Sequence, residues 1–147
     1  MTTYIQNRKA KHDYEILDTY EAGLVLHGFE AKSIRTGKAS LNGTYVIIRG
    51  GEAFLVNANI TAYQPANTPK DYDPERVRKL LLNQKELAHL ERSLHTQGLT
   101  IVPLSLYNSG RNIKLKIALV RGKKKADKRE TIKQRDVKRD IQRTLKG

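Results

Sequence analysis

From residue 121 onward the chain has almost nothing to bury. Residues 121–147 hold twelve Lys/Arg against four Asp/Glu, so +8 of the formal net charge of +13 falls in the last fifth of the sequence. The large aliphatics there are Ile132, Val137, Ile141 and Leu145. Ordering a backbone costs roughly 1–2 kcal/mol per residue, and four such side chains cannot offset that cost over so long a segment. The sequence therefore divides into a globular part, residues 1–120, and a basic tail, residues 121–147, that orders only against a polyanion. From Thr131 the tail is helix-compatible, but Val137, Ile141 and Leu145 recur every four residues and drift by about 40° per step round a helix. That stripe is narrower than the apolar face of a membrane-surface helix.

One core suffices for the remaining 120 residues. The absence of cysteine excludes disulfides, thiolate metal sites and a cysteine nucleophile, and four scattered histidines give no reason to expect a metal or another cofactor. Apolar runs are short and Met1 to Lys11 lacks a signal core, so no membrane span or secretory signal is expected and the cytoplasm is the default address. A pI near 10.0 points first to nucleic acid, with an anionic membrane and mere solubility as the other readings.

Within the globular part, turn chemistry and period-two patterning predict mostly strands. Residues 1–12 gather Arg8, Lys9, Lys11 and His12 and read as a basic N-terminal arm, either frayed or touching phosphate. Ile16, Tyr20, Ala22, Leu24 and Leu26 share one parity of a long, bent strand; Glu21 and Gly23 take the other, with a bulge expected at Gly23. Residues 28–37 read as a short helix closing on Gly37 and plugging a barrel end. Residues 44–49 and 52–56 flank Gly50-Gly51, the signature of a tight hairpin. Residues 63–75, with three prolines, form a loop. A strand over 76–82 leads to a helix capped by Asn83 and Glu86, with Leu87, Leu90 and Leu94 inward and Gly98 as its stop. A second hairpin pairs 99–107 with 112–120. Pro103 requires an edge or bulge there, and Lys114 and Lys116 face away from Ile113, Leu115, Ile117 and Leu119. Enzyme chemistry has only loose candidates, His12 with Asp13 or Glu15, His27 with Glu30, and Ser105, none inside a motif.

Taken in order, a set of short words resembles one family. They are Asn7-Arg8-Lys9-Ala10-Lys11-His12-Asp13-Tyr14, Tyr20-Glu21-Ala22-Gly23, Glu30-Ala31-Lys32-Ser33-Ile34-Arg35, Gly51-Glu52-Ala53-Phe54-Leu55, Arg78-Lys79-Leu80-Leu81-Leu82, Gly122-Lys123-Lys124 and Asp127-Lys128-Arg129. Their combination is similar to the small protein B (SmpB) family, the SsrA-binding proteins that partner transfer-messenger RNA (tmRNA) in bacterial trans-translation. The words run from about residue 7 to 130, and beyond that only the basic character matches. The resemblance implies a mainly β protein, an OB-like antiparallel barrel of six strands with short helices, whose tail becomes helical on the ribosome. It implies an RNA-binding adaptor and no enzyme: a partner of the tRNA-like domain of tmRNA, delivered with elongation factor Tu (EF-Tu) to stalled ribosomes, with its tail in the decoding centre and the empty mRNA channel. By the same resemblance Asn7, Lys9, His12, Glu21, Leu81 and Lys114 match the RNA-binding surface. Asp127, Lys128 and Arg129 match the motif for accommodation and tagging, and Lys123, Lys124, Lys133, Arg135, Lys138 and Arg139 belong to the same ribosome-directed tail. Relatives commonly carry an aromatic or histidine where this chain has Ala126.

Overall fold

The computed structural model describes residues 2–64, 66 and 68–122. The expectations for Lys123, Lys124, Asp127, Lys128, Arg129, Lys133, Arg135, Lys138 and Arg139, and for a helix beyond Thr131, lie outside the described residues. In chain order the elements are β1 (Thr3–Gln6), α1 (Arg8–Asp13), β2 (Tyr14–Leu24), α2 (Gly28–Arg35), β3 (Ala39–Ser40), β4 (Tyr45–Arg49), β5 (Glu52–Val56), β6 (Asn59–Ile60), β7 (Arg78–Leu81), α3 (Gln84–Ser93), β8 (Leu99–Ser109) and β9 (Asn112–Gly122).

Six strands close on themselves. The order runs β8-β4-β5-β7-β2-β9, and β9 returns to pair with β8, every contact antiparallel. This ring is the expected six-stranded barrel. To it the chain adds β1, a seventh strand on the edge of β8, and a separate ribbon of β3 and β6. Closure leaves no long free edge inside the ring, and the inward residues form one core: Ala22, Val46, Leu55, Leu80, Ile101, Leu115 and Ile117 are each almost fully buried. Ile34 of α2 and Leu90 of α3 join the same core, so both helices pack onto the barrel rather than lie free. Each such side chain contributes about 1.5–3 kcal/mol.

Local chemistry explains the turns. Gly50 and Gly51 both adopt positive φ, 62° and 73°, as a two-residue primed turn requires, and Arg49 consequently faces Glu52. α2 closes on Gly37, whose φ of 77° lets Lys38 donate to the Ser33 carbonyl and Gly37 to that of Ile34. At α3 the Asn83 side chain accepts from the Glu86 N–H at 2.8 Å while the Glu86 carboxylate accepts from the Asn83 N–H at 3.3 Å. The helix ends at Ser93, short of Gly98, which instead turns the chain into β8.

Three expectations change. Residues 1–12 are not an arm: residues 3–6 pair with β8, and residues 8–13 form α1. Four residues of strand and six of helix are too short for periodicity to reveal. The irregularity in β2 lies between Ile16 and Asp18, not at Gly23. It flips the parity, so Ile16 lies 39 % exposed opposite Val120 rather than in the core. Gly23 keeps regular pairing with Leu81 on one side and Lys114 on the other, and a Cβ there would come within 3.2 Å of the Leu81 Cβ. Its smallness serves a close approach, not a bulge. Finally, β9 continues past Val120, with Arg121 opposite Glu15 and Gly122 opposite Tyr14, so the barrel extends two residues into the segment assigned to the tail.

Pro103 behaves as its missing N–H demands. The register of β8 against β9 shifts between Pro103 and Ser105, and at this bulge the other edge of β8 passes from β4 at Ile101 to β1 at Ser105.

Candidate nucleic-acid interface

The outward residues of β9 are Lys114, Lys116, Ala118 and Val120, since Ile113, Leu115, Ile117 and Leu119 point into the core. Half of this row is covered. Ala10 of α1 packs on Ala118, Val120, Val102 and Leu104, a small second core on the outside of the barrel. Lys114 and Lys116 continue the row into the open, and from Val120 to Lys114 the strand spans about 20 Å at ~3.4 Å per residue.

Pairing register carries the row sideways. Lys116 faces Glu21 on β2 and Ser105 on β8; Lys114 faces Gly23 and Tyr107; Gly23 in turn faces Leu81 on β7. Cross-strand partners share a face, so Glu21, Leu81 and Lys114 converge on one patch, with Lys9 and His12 exposed on the helix at the other end of the row. Of the six expected residues, Glu21, Leu81 and Lys114 thus share one outer face, and Lys9 and His12 are exposed on the helix packed at the far end of the same row. Leu81 is 53 % exposed although it is aliphatic, because β7 alternates Arg78 and Leu80 inward with Lys79 and Leu81 outward.

Asn7 is different. It is 5 % exposed, its side-chain oxygen caps α1 by accepting from Ala10 N–H at 3.2 Å, its amide donates to Pro103 O at 2.9 Å, and its backbone N–H donates to Leu104 O at 2.7 Å. It seats α1 on the β8 bulge and so places Lys9 and His12. Asn7→Ala is expected to lose about 1–2 kcal/mol of stability, from the cap and the unpaired Pro103 carbonyl, as read by urea unfolding.

Glu21 is held from the side. The Tyr107 hydroxyl donates to its Oε2. Burial, then that hydrogen bond and the adjacent carboxylate charge, push the Tyr107 phenol well above its ordinary value, so it stays a donor at any physiological pH. Thr3, Glu21, Ser105, Tyr107 and Lys116 border a cleft of about 370 Å³. A carboxylate fixed beside a lysine in a cleft of that size can accept from base amino groups or ribose hydroxyls while the lysine meets a phosphate. The cleft was not legible in the sequence, because Tyr107 and Glu21 stand 86 positions apart.

Of the loose enzyme candidates, His12 does meet Asp13, His27 meets Glu30 only through its backbone N–H, which donates to Oε1 at 2.8 Å, and Ser105 lines the cleft beside Glu21. His12 Nδ1 lies 3.2 Å from Asp13 Oδ1 on an open helix face. Glu30 is fully buried and bound by Arg76, Arg78 and Tyr72. Among the described residues no group of three or more His, Cys, Asp or Glu could hold a metal ion, and no helix is long and apolar enough to cross a membrane.

A family model described as SmpB protein matches residues 4–147, which carries the likeness through the tail that the sequence words left at residue 130. An SsrA-binding protein of Pseudomonas entomophila (strain L48) is 50 % identical over 145 residues, 99 % of this chain and 91 % of that one. An SsrA-binding protein of Mesoplasma florum (strain ATCC 33453 / NBRC 100688 / NCTC 11704 / L1) is 52 % identical over 140 residues, 95 % and 94 % of the two chains. A solved structure described as "tmRNA-SmpB: a journey to the center of the bacterial ribosome" superposes with a TM-score of 0.69 at 44 % identity, covering 84 % of this chain and 87 % of that one.

Proposed function

The chain belongs to the SmpB family, and from that premise we propose that it is the RNA-binding adaptor of trans-translation. Its barrel binds the tRNA-like domain of tmRNA, travels with EF-Tu and the alanyl-charged RNA to stalled ribosomes, and enables tagging and rescue there. This work takes place in the cytoplasm, where ribosomes are.

The observation that supports the reading at particular residues is the outer face shared by Glu21, Leu81 and Lys114, with α1 and its exposed Lys9 and His12 packed at the far end of the same row of β9. Lysines spread over a curved sheet suit a folded RNA recognised by shape and backbone, with Glu21 in its cleft as the group able to read a base edge. Asn7 contributes by seating α1. Beyond Gly122 the tail, through Lys123, Lys124, Lys133, Arg135, Lys138 and Arg139 and the Asp127-Lys128-Arg129 word, addresses the decoding centre and the vacant mRNA channel, where phosphate supplies its counter-charge.

Competition between tmRNA and bulk tRNA at one salt concentration tests the reading. A dedicated adaptor prefers tmRNA; equal binding with a steep salt dependence would mark a general RNA chaperone instead. Glu21→Ala and Lys114→Ala are each expected to weaken the complex about tenfold in a gel shift, since a charge-assisted hydrogen bond is worth about 1.5–3 kcal/mol, while the fold survives. No catalysis belongs to this role, and labelled RNA incubated with the protein and a divalent metal is expected to remain intact.

A further inference from the structure

Next to Leu81 and Lys114 the barrel surface dips into a concavity bordered by Gly23, Leu81, Arg35, Arg111, Asn112 and Lys114. Three cations line it, and no carboxylate does. The four ion pairs among the described residues use none of Arg35, Arg111 and Lys114, so no carboxylate among those residues forms an ion pair with them.

The three come from separate parts of the chain. Arg35 ends α2, just before the Gly37 cap; Arg111 stands at the tip of the β8–β9 hairpin, beside Gly110 with a φ of 64°; Lys114 is the half-buried outward residue of β9. A hydrogen bond from Arg35 Nη2 to the Arg111 carbonyl, 3.3 Å, ties the hairpin tip to the helix. That bond takes one of the five guanidinium donors of Arg35. Gly23 forms part of the border, and its missing side chain leaves the hollow open between Leu81 and Lys114.

Gathering like charges in this way is unfavourable unless an anion joins them. A phosphodiester has two exposed oxygens that match a guanidinium fork, and arginine binds such groups through paired N–H donors. The concavity also continues the outer face through Lys114 and Leu81, so an RNA lying on that face brings its backbone here. We propose that Arg35, Arg111 and Lys114 form one seat for a backbone phosphate of the bound RNA. This assignment rests on the RNA-binding reading above and adds two arginines to the residues that carry it. Because the cations share one phosphate, their contributions are not additive.

The test is a binding titration of the full-length protein with a transcript of the tRNA-like domain at several salt concentrations. Arg35→Gln and Arg111→Gln are each expected to weaken binding about tenfold, and the double variant by clearly less than the hundredfold product. The slope of log affinity against log salt should become shallower by about one, the mark of a single lost phosphate contact. Both side chains are exposed, so melting midpoints should hold. If Arg35→Gln lowers the midpoint, Arg35→Lys, which keeps the charge but not the fork, takes its place and must still lose affinity. Glu21→Gln, outside the seat, is measured alongside. Weakening by Glu21→Gln with none from the arginine variants overturns the seat and leaves the RNA-binding reading standing. Unchanged affinity in all of them overturns that reading, and the seat with it.

Discussion

Glu30→Ala should remove about 3–5 kcal/mol of stability, a large share of the 5–15 kcal/mol typical of a domain. Glu30 and Arg78 are both fully buried, joined at 2.6 Å between Arg78 Nη2 and Glu30 Oε2, with Arg78 Nε on the same oxygen at 3.1 Å. Arg76 reaches the other carboxylate oxygen, the Tyr72 hydroxyl donates at 2.9 Å, and the His27 N–H donates at 2.8 Å. Arg78 also donates to the carbonyls of Ala58, 2.6 Å, and Pro74, 2.9 Å. One carboxylate therefore fastens α2, the start of β7 and the long connection between β6 and β7 into a unit. Alanine would leave a guanidinium buried without its counter-charge, which is why the loss exceeds that of an ordinary hydrogen bond.

The same cluster sets an acid limit. Burial alone would push the Glu30 carboxyl up, but hydrogen bonds from Arg76, the His27 backbone and Arg78, with the Arg78 charge, outweigh it and hold the group down to about 2 against an ordinary 4.5. A depressed carboxyl stabilises the fold above its unfolded value and loses that contribution as pH falls. The loss here runs from about pH 4.5 to about pH 2 and amounts to about 3 kcal/mol. Urea unfolding of the wild type and of Glu30→Gln at pH 7 and pH 3 checks this. The gap between the two proteins should narrow at the lower pH, and a constant gap would show that the Glu30 charge is not what the cluster depends on.

Truncation after Gly122 should abolish tagging on stalled ribosomes while changing affinity for the tRNA-like domain by less than about tenfold. Glu21, Leu81 and Lys114, with Lys9 and His12, all fall within residues 2–122, so the truncation leaves the proposed RNA-binding residues in place. The cut belongs at 122 and not at 120, because Arg121 and Gly122 still pair with Glu15 and Tyr14. Removing them would damage β2 and confuse a loss of fold with a loss of tail. A gel shift and a reconstituted tagging assay separate the two duties. Persistent tagging would refute the assignment of the tail, and lost RNA binding by a folded truncation would refute the division between barrel and tail.

Both experiments bear on what a sequence can disclose. Gly50-Gly51, the Asn83–Glu86 cap, the Gly37 closure and the alternation of Lys114 and Lys116 with inward aliphatics were readable because each depends on residues within a few positions of one another. The bulge between Ile16 and Asp18 was not, since nothing local distinguishes it and only pairing with β9 reveals the shifted parity. α1 carries a valid start signal in Asn7, yet six residues give no periodic face to accompany it. For the interface, the family words supplied the residues, but Asn7 reads there as a surface contact and the fold makes it a buried clasp.

The sequence by itself determined the concentration of positive charge after residue 120, the predominance of strands and the positions of their tight turns, because charge balance, period and turn chemistry act over short stretches of chain. Only the tertiary structure decided how Glu21 meets Tyr107, how Glu30 meets Arg78 and how Arg35 meets Arg111. Those pairs are 86, 48 and 76 positions apart, and it is barrel closure, fixed by the register of long strands, that brings them within bonding distance.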